Sequence, residues 1–141
     1  MLEIKAIQTK EEQERICGLC GVEFDPDCLA FGAKETAGET EEDREKLLGV
    51  SQFRIIKDFA VIYDLAKSIK SDDFEAVVIT GKATLNFIDL CGIKTVFFKT
   101  DNKNLPEILG FEKFDKEDNG GDYKYRLNLE GYFDSPCGCK F

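Results

Sequence analysis

Residues 72–91 read DDFEAVVITGKATLNFIDLC, and the fold turns on whether this stretch is a helix. Phe74, Val77, Val78, Gly81, Leu85, Ile88 and Cys91 carry apolar or small side chains at a spacing that lines one face of a 3.6-residue period. Asp72 stands at the expected N-cap with Glu75 three positions on, so the pair can satisfy two orphan amides of the helix start. Cys91-Gly92 supplies the stop, because glycine enters the left-handed conformation without steric cost. The competing reading makes a strand of the β-branched run Val77, Val78, Ile79 and Thr80, turned at Gly81. The apolar stripe crosses Gly81 without a change of phase, which favours the helix and places Cys91 on its buried face.

Working outward, Leu47 to Ile56 and Phe59 to Ile69 read as two strands joined by a turn at Lys57-Asp58. On the other side, Lys94 to Lys99 (KTVFFK) is a short apolar run of the kind covered on both faces of a sheet. Asn104-Leu105-Pro106-Glu107 opens a brief helix, with proline tolerated in its first turn, and Gly110 ends it. Phe111 to Phe114 and Tyr123 to Leu129 read as strands separated by an exposed turn at 116–122. Near the start, Leu2, Ile4 and Ala6 alternate with charged neighbours in a half-buried strand ending at Ile7. Thr9 and Glu12 form a capping box for a helix from Lys10 to Leu19. Cys28 to Lys34 is a further strand, followed by an acidic connection ETAGETEEDRE at 35–45. A crossover through the 72–91 helix requires the strands on either side of it to run parallel, while the other connections suit antiparallel neighbours. The expected architecture is α+β: a mixed, mostly antiparallel sheet with one parallel pair and helices on both faces. Residues 1–141 read as a single domain whose last residues, 130–141, form an irregular tail containing cysteine.

Composition excludes several functions. The chain of 141 residues has a formal net charge of −9 with its acidic residues spread along it, which repels phosphate backbones and argues against nucleic acid. No apolar run approaches the ~20 residues a bilayer span needs, and MLEIKAIQTKEE has no signal-peptide core, so a cytoplasmic protein is expected. Histidine is absent, leaving acid–base work near neutral pH to a perturbed carboxylate, Cys, Tyr, Lys or water. In a reducing compartment the six cysteines point to thiols or metal before disulfides. Cys17-x-x-Cys20 and Cys137-x-Cys139 together offer four thiolates for a tetrahedral zinc site, provided that the pairs meet, and Cys28 could join them. The plainer reading makes all of them inert thiols. The aromatic residues Phe31, Phe53, Phe97 and Phe111 fall at core phase.

The order of elements and several residues resemble the GNAT (N-acetyltransferase) superfamily. The matching pieces are Tyr63-Asp64-Leu65-Ala66 closing the fourth strand, the helix with Gly81-Lys82-Ala83-Thr84-Leu85-Asn86-Phe87, Cys91-Gly92-Ile93-Lys94-Thr95-Val96 leading into the fifth strand, and Leu109-Gly110-Phe111-Glu112 after the last helix. The resemblance implies an acyl-CoA N-acyltransferase fold and acyl transfer from acetyl-CoA to a small-molecule or peptide amine. It further implies that the backbone at Leu65 and Ala66 binds the pantetheine arm where the parallel strands splay, and it leaves a homodimer open. Two positions depart from the family pattern. The loop R/Q-x-x-G-x-G/A that receives the pyrophosphate falls on Asp72 to Val77, so Asp72 replaces the basic residue and Glu75 and Val77 replace the glycines. The tyrosine expected four residues before Gly110 is Pro106, which has no proton to give. The alternative is therefore a non-catalytic binding or structural protein of the same fold, with a Cys-bound zinc. Tyr63 and Asp64 would stand near the mouth of the splay, where a desolvated carboxylate could act as a base. A strand-end pair half exposed to water is the plainer account.

Overall fold

The computed structural model describes residues 2–36, 45–100, 102–113 and 123–133. Within these, seven strands form one sheet: β1 (Leu2–Ala6), β2 (Leu29–Thr36), β3 (Glu45–Ile56), β4 (Phe59–Lys67), β5 (Thr95–Phe98), β6 (Glu112–Lys113) and β7 (Tyr125–Asn128). Their order is β1-β2-β3-β4-β5-β7-β6. Only β4 and β5 pair in parallel; every other neighbour is antiparallel. The helices are α1 (Lys10–Leu19), α2 (Phe74–Leu90) and α3 (Asn104–Leu109). The strand pattern expected from alternation and the parallel pair forced by the crossover are both present.

The main core lies between α2, α3 and one face of the sheet. Val77, Leu85 and Ile88 of α2 pack with Leu105 and Leu109 of α3 on Phe53, Ile62, Val96 and Phe98. Burying a side chain of this size is worth about 1.5–3 kcal/mol, so the α2 face alone anchors the crossover. Phe31, Phe53 and Phe87 add an aromatic triad, with Phe87 edge-on to the other two at 5.6 and 5.8 Å. A second, smaller core holds α1 on the opposite face, where Ile16, Cys17 and Cys20 pack on Val50.

Helix α2 runs where the apolar period puts it, with corrections at its ends and on its face. The N-cap is Asp73, one residue later than Asp72; its carboxylate accepts from the Ala76 amide at 3.0 Å. Phe74 is 44% exposed, and Cys91, placed in the core by the period, is exposed beyond the last turn. The buried face is shifted toward Ala76, Thr80 and Thr84. Both threonines are fully buried, because Thr80 and Thr84 hydroxyls return to the carbonyls of Ala76 and Thr80 (2.7 and 2.9 Å) and Thr84 also meets Ser51 at 2.7 Å. Satisfied in this way, a hydroxyl costs little to bury. Gly81 lets α2 close on α3 and β4: a Cβ there would stand 2.9 Å from both Leu109 Cδ1 and Leu65 Cδ2.

Other expectations hold with small shifts. Thr9 caps α1 through the Glu12 amide at 3.1 Å, and Lys57 takes positive φ in the β3–β4 turn. Asn102 Oδ1 accepts from the amides of Asn104 and Leu105, starting α3, and Gly110 ends it in the left-handed conformation. Strand β4 stops at Lys67, short of Ile69. In β5 only Val96 and Phe98 are buried, while Phe97 is half-buried against Phe59 and Tyr123 on the face that carries no α2. Phe31 too is only half-buried, whereas Phe53 and Phe111 lie in the core. The start of the expected irregular tail is tied down: Tyr132 donates to the Leu109 carbonyl at 2.6 Å. The acidic connection at 37–44, the turn at 114–122 and tail residues 134–141 lie outside the described residues.

Candidate functional site

Strand β4 outlasts its parallel neighbour. Pairing with β5 covers Phe59 to Ile62 and closes with the Lys99 amide on the Ile62 carbonyl at 3.0 Å. From Tyr63 to Lys67 the β4 edge has no β5 partner among the described residues. The cause of the divergence is local. Phe53 pairs with Ile62 but Gln52 pairs with Asp64, so Tyr63 is the extra residue of a bulge that bends β4 away from β5. The result is a V-shaped opening whose apex lies at Ile62 and Lys99.

The main chain along the opening alternates. Ser68 N donates to Leu48 O at 2.9 Å, and the Ala66 carbonyl faces Gly49, where a Cβ would come within 2.9 Å of it. Groups at even positions thus point toward β3. Alternation turns the amide and carbonyl of Leu65 to the other edge, into the V. The Leu65 side chain packs under α2, and Ala66 is half-buried against the α1 core. Of the two positions marked from the sequence, Leu65 is therefore the one whose main chain faces the opening.

Behind the bulge lies a polar network that sequence reading missed. Gln52, fully buried on β3, accepts from Gln13 Nε2 (2.8 Å) and the Asp25 amide (3.1 Å), and donates to the Glu23 carbonyl (2.9 Å) and Asp64 Oδ2 (2.8 Å). Gln13, also buried, donates to the Asp25 carbonyl and accepts from Lys10 Nζ. Leaving such a group unpaired would cost about 1–3 kcal/mol each, so the network fixes the 23–28 segment and the Asp64 carboxylate together. Its only sequence signal is a glutamine at an inward strand position, which becomes informative once its partner on α1 is known.

Asp64 is half-buried, and desolvation pushes its pKa above the usual carboxylate value; the Gln52 hydrogen bond opposes this, while the nearby charges of Asp25 and Glu23 add to it. Burial also raises the Tyr63 phenol, which hydrogen-bonds Tyr123. Lys99 Nζ lies 6.0 Å from the centre of the Tyr63 ring, and Tyr123 stacks on Phe97. The Tyr63-Asp64 pair is therefore one bulge presenting a neutral phenol and a perturbed carboxylate beside the apex of the V.

At the far end of the opening, the β4–α2 connection is closed upon itself. The amides of Ile69, Lys70, Ser71, Asp73, Phe74 and Ala76 donate to Leu19 O, Ser68 Oγ, Ser68 O, Ser71 Oγ, Asp72 O and Asp73 Oδ1. The Asp72, Asp73 and Glu75 side chains are exposed there. Lys67 approaches Asp72 only at 3.9 Å, with the carboxylate fully exposed.

The cysteines are placed in part. Cys17 and Cys20 are buried in the α1 core, where desolvation pushes their thiols up to about 11 and about 12; Cys28, also buried, is pushed up to about 12. No group of three or more potential ligands is arranged for a metal among the described residues, and Cys137 and Cys139 lie outside them. A hollow of about 320 Å³ lies between β1, β2 and α1, bordered by Glu3, Lys5, Thr9 and Glu12, away from the V. No helix among the described residues is long and apolar enough to cross a membrane.

Neither a protein-family model nor a curated protein matches the chain. Solved structures do. An N-acetyltransferase, PaiA, from Thermoplasma acidophilum in complex with coenzyme A superposes with TM-score 0.64 at 14% identity, over 91% of this chain and 99% of that one. The ribosomal-protein-S18-alanine N-acetyltransferase from Escherichia coli gives 0.64 at 12%, over 92% and 94%. The spermidine/spermine N-acetyltransferase from Vibrio cholerae gives 0.64 at 11%, over 95% and 98%. At such identities the likeness shows the fold.

Proposed function

We propose that this chain, which has the GNAT acyl-CoA N-acyltransferase fold, transfers an acyl group from a thioester to an amine at the V between β4 and β5. The observation that carries the reading is the bulge at Tyr63, which bends β4 away from β5, leaves the β4 edge beyond Ile62 without a β5 partner among the described residues, and has Asp64 and Leu65 as the next residues of the strand. An acyl thioester of the coenzyme A type supplies the electrophilic carbonyl. The Leu65 amide and carbonyl can pair with the amides of an extended pantetheine arm as a strand would. Asp64, its pKa raised, takes the proton that the attacking amine must lose, and holding both partners in one cleft supplies much of the acceleration. In this reading the Tyr63 phenol, kept neutral by burial and by its hydrogen bond with Tyr123, protonates the departing thiolate, a duty closed to Pro106. Carboxylates at 23, 25 and 64 favour an amine acceptor that approaches as a cation.

Two of the structural neighbours are named for amine substrates, a protein alanine and a polyamine, so both kinds belong in the test. The protein is incubated with acetyl-CoA and either spermidine or an alanine-initiated peptide, and products are read by mass spectrometry. A product 42 Da heavier than the amine, reduced at least about tenfold (about 1.4 kcal/mol) by Asp64→Asn, is expected. Absence of acetylated product, together with no calorimetric binding of CoA at millimolar concentration, would refute the proposal.

A further inference from the structure

We infer that the donor site recognises the pantetheine thioester and stops there: it does not read the diphosphate and nucleotide of coenzyme A. This rests on the thioester reading above. A diphosphate is held by backbone amides that have no other acceptor and by the partial positive charge of a helix N-terminus. In this chain those amides are already engaged. From Ser68 to Ala76, every amide among the described residues except those of Asp72 and Glu75 donates to an acceptor of the chain itself. The first turn of α2 is occupied by the Asp73 carboxylate at 3.0 Å from Ala76 N, which takes the place an anion would occupy. The two remaining amides belong to acidic residues, whose side chains are exposed beside them.

Charge points the same way. Asp72, Asp73 and Glu75 are all exposed in the connection from β4 to α2, against two lysines of the same stretch, Lys67 and Lys70. An incoming phosphate therefore meets a net negative surface and has to displace an intramolecular cap. The edge at Leu65, by contrast, offers main-chain hydrogen bonds to a neutral amide arm, which needs no charge complement. The chemical class that fits is an acyl thioester of pantetheine or of another neutral amide-bearing thiol.

The test compares two ligands by calorimetry on the full chain, so that binding is read without turnover. Pantetheine and coenzyme A are expected to bind within about threefold of each other, and raising salt from 20 to 500 mM NaCl tightens coenzyme A while leaving pantetheine unmoved, because screening weakens the repulsion. The double variant Asp72→Asn/Glu75→Gln, which keeps the Asp73 cap, should improve coenzyme A by about fivefold and pantetheine not at all. Coenzyme A binding tenfold or more tighter than pantetheine, or weakening with salt, overturns this inference and leaves the acyl-transfer reading intact. Failure of both ligands to bind overturns the two together.

Discussion

Replacing Gly81 by alanine sets two known effects against each other. In an open helix position the change gains about 0.8–1.0 kcal/mol in propensity. At Gly81 the new methyl would stand 2.9 Å from Leu109 Cδ1, 2.9 Å from Leu65 Cδ2 and 3.3 Å from Leu109 Cδ2. Both leucines are buried, at 1% and 8% exposure, so neither can swing into solvent. Overpacking of this kind costs about 1–3 kcal/mol, and the net expectation is a loss of about 0–2 kcal/mol. Gly18, in α1, is the control: a Cβ there meets nothing within 4 Å, so Gly18→Ala should gain up to about 1 kcal/mol. Urea unfolding followed by far-ultraviolet circular dichroism compares the two variants through their midpoints, the expected gap being up to about 3 kcal/mol with Gly18→Ala the more stable. Gly81→Ala in a Leu109→Val background should cost less than the sum of the single changes, because the shorter side chain gives the methyl room. If Gly81→Ala stabilises the protein as much as Gly18→Ala does, the close approach of α2 to α3 and β4 is refuted.

The raised pKa of Asp64 fixes a sign for pH dependence. Between the unfolded carboxylate value of about 3.9 and the higher native value, the folded protein binds more protons than the unfolded chain, so Asp64 erodes stability as pH rises through that window. Wild type should therefore compare best with Asp64→Asn at about pH 3.5 and lose ground toward neutrality; a difference in urea midpoint that is flat or grows with pH would contradict this. For the thiols, a group at about 11 is ionised to about one part in a thousand at pH 8, and burial shields it further. Iodoacetamide should label exposed Cys91 in the native protein and reach Cys17, Cys20 and Cys28 only in urea, as peptide mass mapping can read; equal rates for Cys17 and Cys91 would sink the assignment.

Local patterns carried most of the architecture. Thr9, Gly110 and the Lys57-Asp58 turn announced their roles because each depends on residues a few positions away. The α2 period was legible, but hydrophobicity alone placed its face slightly wrong: Thr80 and Thr84 read as polar until their hydroxyls find carbonyls one turn back. Cys91 read as core because the apolar period was carried one residue past Leu90, onto the residue that caps the helix. At the site, Tyr63 and Asp64 could be singled out as a strand-end pair, and Leu65 by likeness of pattern. The bulge that opens the V needs the register of β3 against β4, and Gln52 acquires its meaning from Gln13 and the 23–25 backbone far along the chain. Those are pairings between distant segments, and no local rule encodes them.

The single parallel pair also orders events at the ribosome. Strands β2 to β4 each pair with the strand before them in the chain, whereas β4 gains its other neighbour only after residues 95–98 have been made. Until then Ala60, Val61 and Ile62, all sealed in the finished molecule, border an uncovered margin of the growing sheet. At synthesis speeds of about 5–20 residues per second that interval lasts on the order of seconds. The cleft between β4 and β5 thus exists only in molecules that have passed that stage.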